Sequence, residues 1–482
     1  MSKLYKTPGD YVEEISAAPP SLVATETSIP AFIGYTQKAQ KLEIGDLAFT
    51  PTRVESMLEY EQYFGTRVNE TISIAITDEL VKTGPTITPV SRKIEVKIPF
   101  LRNNMHYQLQ SYFANGGGPC YIVSVGKPKQ LLSKKELKNG LDEVYKHAEP
   151  TLIMFPDGIH LAKATDLYAL YNEALMQAFE LGNRFVIMDL SHNDLQGKSP
   201  VELFRESVTG GENPASLKYG AAYYPLLHSS IPCTYADSTV RITHDTITKD
   251  DGQANSNAKG EWDNFYLNNP KLTGTAIYAL VKTEIANYPV TLSPSPSVAG
   301  MYVNNDRNRG VWKAPANIAL SLVKAPSVTV NNSEQELLNI DVSSGKSINA
   351  IRLFSGKGTL LWGARTLAGN DNDWRFISVR RLFNMVEESV KIGIAAFTFE
   401  PNVENTWMKV KTMIENFLTT LWKAGALAGA KPEHAFFVHV GLGETMTGQD
   451  ILENKMIIEI GLAPTQPAEF ITFRIEHQMQ SG

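Results

Sequence analysis

The chain has 482 residues, 43% hydrophobic and 20% charged, with 45 Lys plus Arg against 51 Asp plus Glu for a net charge of -6. That length exceeds one ordinary core and predicts two or three domains, while the balance of apolar to charged residues excludes an intrinsically disordered chain. No basic stripe of the kind that phosphate neutralisation requires is present, so no direct nucleic-acid partner is expected. Cys120 and Cys233 stand far apart, with neither a disulfide framework nor metal-ligand spacing, and read as buried free thiols of a reducing cytosol. Asp10, Glu13 and Glu14 interrupt the start where a signal peptide would be apolar, and no run of about 18 apolar residues follows. Cytoplasmic folding without direct membrane insertion is the expectation.

In chain order, residues 1–25 read as an arm. Tyr11, Val12, Glu13, Glu14 and Ile15 form a short β-prone stretch between Pro8–Gly9 and Pro19–Pro20, too short to bury itself. A strand is expected over 29–33, a helix over 54–64 stopped by Gly65, a helix over 107–113 and a strand over 121–125, with 66–99 as an insertion. The middle alternates helix 134–146, strand 152–155, helix 162–181 and strand 184–190, which favours a parallel or mostly parallel sheet. Residues 237–269, rich in Asp, Asn, Thr and Gly, read as an exposed loop or small β insertion. A helix over 274–287 follows, and Ser293–Ser297 reads as a junction outside the core.

Further along, 378–391 is expected to be helical and 394–399 a strand. Residues 405–424 form an amphipathic helix with Trp407, Val410, Ile414, Phe417, Leu418, Leu421 and Trp422 on one stripe. Strands are expected over 456–462 and 470–476, the last alternating apolar Ile471, Phe473 and Ile475 with Thr472, Arg474 and Glu476. Pro464 and Pro467 isolate it as Pro19 and Pro20 isolate the first, so both chain ends carry a strand without a neighbour.

Catalytic motifs fail on inspection. Ser344–Ser347 (SGKS) lacks the glycine that a phosphate loop needs five residues before Gly345, where Ile340 stands, and Met446 replaces the third glycine after Gly441 and Gly443. His434 and His439 have no HExxH neighbour, no GxSxG elbow occurs, and the pairs Glu13–Glu14 and Glu387–Glu388 read as solvated charge. The densest polar motif, Asp306, Arg307, Arg309, Trp312 and Lys313, is expected to form an ion-pair network at a domain or subunit junction. No catalytic residue, cofactor or metal is expected.

Lys6–Ile15 (KTPGDYVEEI) with Thr27–Gly34 (TSIPAFIG) resembles the opening of contractile tail sheath proteins, with Asp10 in place of the commoner apolar residue. The resemblance continues through Asn115–Val123 (NGGGPCYIV), Ser297–Asn317, Phe354–Leu367 (FSGKGTLLWGARTL), Trp374–Arg381 (WRFISVRR) and Ile457–Ile475, in the family's order over most of the chain.

What the resemblance implies is a multidomain protein, α/β and α+β, with mixed sheets, helices and extended terminal β arms that augment sheets of neighbouring subunits. The expected divisions are an N-terminal linking arm (1–25), an α/β domain (26–310) with insertions near 66–99 and 237–269, an α+β core domain (311–463) and a C-terminal linking arm (464–482). The arm strands would be Tyr11, Val12, Glu13, Glu14 and Ile15 and Phe470, Ile471, Thr472, Phe473, Arg474 and Ile475. Lys409, Lys411, Glu415 and Lys423, on the polar side of the 405–424 helix, would face an inner tube; a solvated face of a core helix explains them equally well. The implied partners are further copies in stacked, hexameric rings, the tube protein, and baseplate and terminal cap proteins. Assembly would take place in the bacterial cytoplasm, into a phage tail or tail-like particle.

Overall fold

The computed structural model describes residues 22–470 apart from 67, 84, 99–103, 129–130 and 251–255. Two compact units emerge: residues 26–384 with 466–470, and residues 22–25 with 385–465. The expected boundary near 310 falls inside the larger unit, because strands after it complete the same sheet.

That sheet has nine strands, in the order Ile318–Ala319, Gly358–Trp362, Ile348–Phe354, Gly220–Tyr224, Phe185–Asp189, Leu152–Met154, Pro30–Gly34, Cys120–Ser124, Thr52–Val54. Its middle is parallel, and the pairings nearest each edge are antiparallel. Helical crossovers cover both faces, which is why Pro30–Gly34, Cys120–Ser124 and Phe185–Asp189 are buried throughout rather than alternating. Ala31, Ile33, Tyr121, Val123, Val186 and Met188 pack on one side with the helices Lys134–Tyr145 and Ala164–Leu181. On the other, Phe32, Ile122, Met154, Phe185 and Ile187 meet the helices Met57–Phe64, Asn104–Ala114 and Ser295–Arg309.

The first five parallel strands run 2-1-3-4-5 across the sheet, an arrangement that in other proteins holds a ligand where the winding reverses. Here the carboxylate of Asp157 fills that place. It accepts hydrogen bonds from the Tyr35 amide at 2.6 Å and from Asn104 Nδ2 at 2.6 Å. A Cβ on Gly34 would meet Asp157 Oδ2 and Met105 Cε within 2.3 and 2.5 Å, so the crevice has no spare volume beside that glycine.

The segment Ser293–Ser297, expected outside the core, is buried in it: Ser295 opens the helix Ser295–Arg309, and Ser293 and Ser297 are buried with it. Small residues permit the close approach of the Asn104–Ala114 helix. Ser111 Oγ and Ser297 Oγ lie 2.6 Å apart, and a Cβ on Gly300 would come within 2.4 Å of the Tyr112 carbonyl oxygen. At the helix start the Ser295 amide donates to Asp189 at 2.8 Å, and its hydroxyl donates at 2.5 Å, placing a carboxylate at the positive end of the helix dipole.

Burial pushes the Asp189 carboxyl up to about 7, against an ordinary value near 4. The folded chain therefore keeps this proton over a range where the unfolded chain has released it, and the stability that this group confers declines as pH rises from about 4 to about 7. Asp189→Asn removes the titration. On going from about pH 4.5 to about pH 8, the wild type is expected to lose on the order of 3 kcal/mol relative to the variant, read from urea unfolding.

The two expected insertions meet. Ile72–Thr83 and Thr86–Lys97 form a hairpin, and Val240–Asp250 pairs parallel with Ile72–Thr83 along its whole length, giving with Ser256–Lys259 a four-stranded sheet. Ile72, Ile74, Ile76, Val240 and Ile242 on one face are covered by Ile277, Val281 and Ile285 of the helix Ala276–Asn287. Arg92 binds both oxygens of Asp78, each at 2.6 Å, and holds that carboxyl below the usual range; His244 joins it at 3.1 Å while stacking on Trp262. The polar composition of 237–269 concealed a central strand because its partner lies more than 160 residues away.

In the smaller unit the expected strand 394–399 is absent. The helix Ile377–Ile394 runs into a 3-10 turn, Ala395–Phe397, whose i to i+3 bonds (Thr398 amide to Ala395 oxygen, Glu400 amide to Phe397 oxygen) satisfy the backbone locally. The amphipathic helix spans Glu404–Lys423, and the strand expected over 456–462 begins at Glu459.

Candidate assembly site

The arm residues Tyr11 to Ile15 and Ile471 to Ile475 lie outside the described residues; Phe470, the last described, is 73% exposed. What the structure places is the chain next to each of these segments, the root of each expected arm. Leu22 packs against Gly393 so closely that a Cβ there has no room, and the Thr25 amide donates to Ser389 Oγ at 3.0 Å.

Two residues on, in the larger unit, the chain enters a buried polar cluster. Thr27 Oγ1 donates to Asp306 Oδ2 at 2.6 Å, and Ser28 Oγ donates to the same oxygen. Arg381 grips the carboxylate from the other side, with Nη1 at 3.1 Å from Oδ1, while its Nη2 donates to the Thr27 carbonyl at 3.0 Å and to Ser28 Oγ at 2.7 Å. The guanidinium lies over the Tyr302 ring at 4.5 Å, and the side chains of Arg381 and Asp306 are 3% and 8% exposed. Thr151 Oγ1, next to the strand Leu152–Met154, donates to the Thr27 carbonyl at 3.0 Å and accepts from the Ile29 amide at 2.8 Å.

Of the expected junction residues, Asp306 alone enters this network. Arg307, Arg309 and Lys313 are exposed, Arg307 lying beside Gly118, and the half-buried Trp312 packs its ring against Gly310. Sequence reasoning missed the essential partner. Its available signal was an arginine pair, Arg380–Arg381, inside a helix whose neighbours Ile377, Val379 and Leu382 are all core residues.

The C-terminal root is held by a second arginine. Arg365 binds Glu469 through Nε to Oε1 at 3.0 Å and Nη2 to Oε2 at 2.5 Å, the two-pronged geometry that makes guanidinium–carboxylate pairs strong. The arginine side chain is 5% exposed. Its backbone is bolted to the sheet: the Arg365 amide donates to Asn349 Oδ1 at 2.8 Å, and Asn349 Nδ2 donates to the carbonyls of Arg365 and Ala222 at 2.8 and 3.1 Å.

In the smaller unit, Phe436–His439 and Glu459–Leu462 form a two-stranded antiparallel sheet, Phe436 opposite Leu462 and His439 opposite Glu459. No third strand joins either edge among the described residues. Two strands alone are marginal, and free edges invite pairing with further chain. On the helix Glu404–Lys423, Lys409 and Lys423 are exposed on one side with Thr412, Asn416 and Thr420, while Lys411 and Glu415 are half-buried on the flank. The structure thus divides the expected tube-facing quartet.

The remaining motifs serve the fold. Lys346 of the SGKS stretch is buried and donates its Nζ to the Arg205 carbonyl, and the Ser344 amide donates to Asp341 Oδ2 at 2.7 Å. His439 pairs with Glu444 at 2.6 Å on the surface. Burial raises the Cys120 thiol and pushes Cys233 up to about 11, disfavouring the thiolate in both. Among the described residues no group of three His, Cys, Asp or Glu could hold a metal, and no helix is long and apolar enough to cross a membrane.

Residues 369–478 match the phage tail sheath C-terminal domain. A tail sheath protein of Vibrio phage KVP40 is 25% identical over 178 residues, 36% of this chain and 25% of that protein, so the match spans about a quarter of the relative's length. Solved structures are similar over the whole chain. The helical sheath of the anti-feeding prophage in its contracted state is 30% identical, covering 98% of this chain and 100% of that one, with a TM-score of 0.64. The sheath complex of the extracellular contractile injection system PVC, also contracted, is 26% identical over 99% of both chains, with a TM-score of 0.62. Full-length likeness at this level, on the mixed α/β fold described above, establishes the relationship, and the chain belongs to the contractile tail sheath protein family.

Proposed function

We propose that this chain is the repeating subunit of a contractile sheath, which polymerises helically around an inner tube in an extended, metastable form and shortens to drive the tube through a target envelope. The observation that carries the reading is the likeness, over nearly the whole chain, to a helical sheath in the contracted state. The free-edged sheet Phe436–His439 with Glu459–Leu462 supports it, as a receptor for arm strands 11–15 and 470–475 of neighbouring copies. Head-to-tail contacts that do not close generate a helix, and bistable packing between rigid units gives an all-or-none change.

The partners in this reading are other copies in stacked, sixfold rings, the tube protein, and baseplate and cap proteins. Assembly takes place in the bacterial cytoplasm, into a tail or tail-like particle. The alternative, an α/β enzyme or ligand-binding protein, is disfavoured by Asp157, which occupies the place where such folds hold ligands.

Lys409 and Lys423 are the strongest tube-facing positions, being exposed on one side of their helix. Electron microscopy of the protein purified with its tube tests both statements. Hollow sleeves in a long and a short form are expected for the wild type, and Lys409→Glu with Lys423→Glu is expected to reduce tube-filled sleeves about tenfold, the loss of a few weak charge contacts per subunit. Rings or spikes in place of sleeves would refute the function; undiminished filling in the variant would refute the tube-facing role alone.

A further inference from the structure

Contraction loads whatever joins one subunit to the next, and a linking strand transmits force only as well as its root is fixed. Near both ends of the described chain a buried arginine holds the backbone or a side chain close to the expected arm. At the C-terminal end Arg365 holds Glu469 two-pronged, one residue before the arm strand expected from 470 onward. Through Asn349, the same arginine's backbone is bonded to the strands Ile348–Phe354 and Gly220–Tyr224 of the nine-stranded sheet. At the N-terminal end Arg381 and Asp306 hold Thr27 and Ser28, directly before the strand Pro30–Gly34 at the middle of that sheet.

We infer that Arg365 with Glu469, and Arg381 with Asp306, are the load-bearing anchors of the two linking arms, passing tension from neighbouring subunits into the nine-stranded core. This rests on the reading of the chain ends as inter-subunit links. The chemistry suits the task. Guanidinium–carboxylate forks are directional, and at 5% and 3% side-chain exposure both arginines are largely shielded from water, so that losing the partner leaves a buried charge. Core strands open only with the whole domain, whereas a marginal two-stranded sheet opens locally. An arm tied only to the smaller unit's open-edged sheet would peel it; an arm tied at Glu469 pulls instead on Arg365 and the strands behind it.

Glu469→Gln preserves shape and removes the charge, and Arg365→Lys keeps a charge but loses the fork. Hydrogen exchange on the isolated subunit is expected to speed up about tenfold or more at the backbone amide of residue 365, which donates to Asn349 Oδ1, in both variants, the effect of losing a charge-assisted bond. Variant sleeves are expected to assemble at full length and break into shorter pieces on contraction. Full-length contracted sleeves, or unchanged exchange at residue 365, would overturn the anchor. Truncation after Phe470 separates the two layers: sleeves that still form without residues 471–482 would overturn the linking-arm reading itself.

Discussion

Arg381→Ala is expected to destabilise the subunit by about 3 to 5 kcal/mol, the range for removing one partner of a buried ion pair. The cause is the charge left behind more than the bond lost. Asp306 would remain buried with only Thr27 and Ser28 hydroxyls to solvate it, and Tyr302 would lose the guanidinium lying over its ring. The Thr27 carbonyl would keep only Thr151 as a side-chain donor. Arg381→Lys should fall between, since an ammonium restores the charge but its three donors on one nitrogen cannot reproduce the four bonds that the planar guanidinium makes to both Asp306 oxygens, the Thr27 carbonyl and Ser28 Oγ. Urea unfolding of the unassembled subunit measures both. A loss below about 1 kcal/mol for the alanine variant would mean that the pair behaves as a solvated surface bridge, contrary to its burial.

Removing residues 471–482 has the opposite signature: a folded subunit that no longer assembles. Among the described residues the buried apolar ones run from Ile29 to Met446, and the truncated chain is expected to melt within about 3 °C of the parent. Assembly should be abolished. Each main-chain bond in an added strand contributes only about 0.5 to 1.5 kcal/mol net, but the arm supplies several per subunit, and a helical polymer needs every linkage. Light scattering and electron microscopy of the truncated protein give the answer directly. Sleeves of normal length would show that copies are joined by other surfaces.

Much of the larger unit was legible along the chain. The strands Pro30–Gly34, Cys120–Ser124, Leu152–Met154 and Phe185–Asp189 are short apolar runs bounded by glycine, proline or turn residues, and the helices between them carry apolar faces at helical spacing. The helix Glu404–Lys423 was legible for the same reason. Where local chemistry misled, long-range packing decided. Serines and prolines at 293–297 carry the marks of a loop, yet they are buried because a helix must approach Asn104–Ala114 closely. Polar residues at 240–250 form a central strand because Ile72–Thr83 pairs with them.

The candidate site divides along the same line. The chain-end strands expected over 11–15 and 470–475 lie, apart from Phe470, outside the described residues; Asp306 and the charged side of the Glu404–Lys423 helix could be picked out by composition and spacing. The partners could not. Asp306 meets Arg381 across 75 residues, and Glu469 meets Arg365 across 104. By itself the sequence determined most strands of the larger sheet and which helix faces are apolar, because those properties follow from residues a few positions apart. Only the tertiary structure decided which arginine neutralises which carboxylate, that two remote insertions share one sheet, and that Asp157 fills the crevice of the parallel fold. Such pairings depend on which surfaces meet once the core has packed, and no periodicity along the chain encodes that.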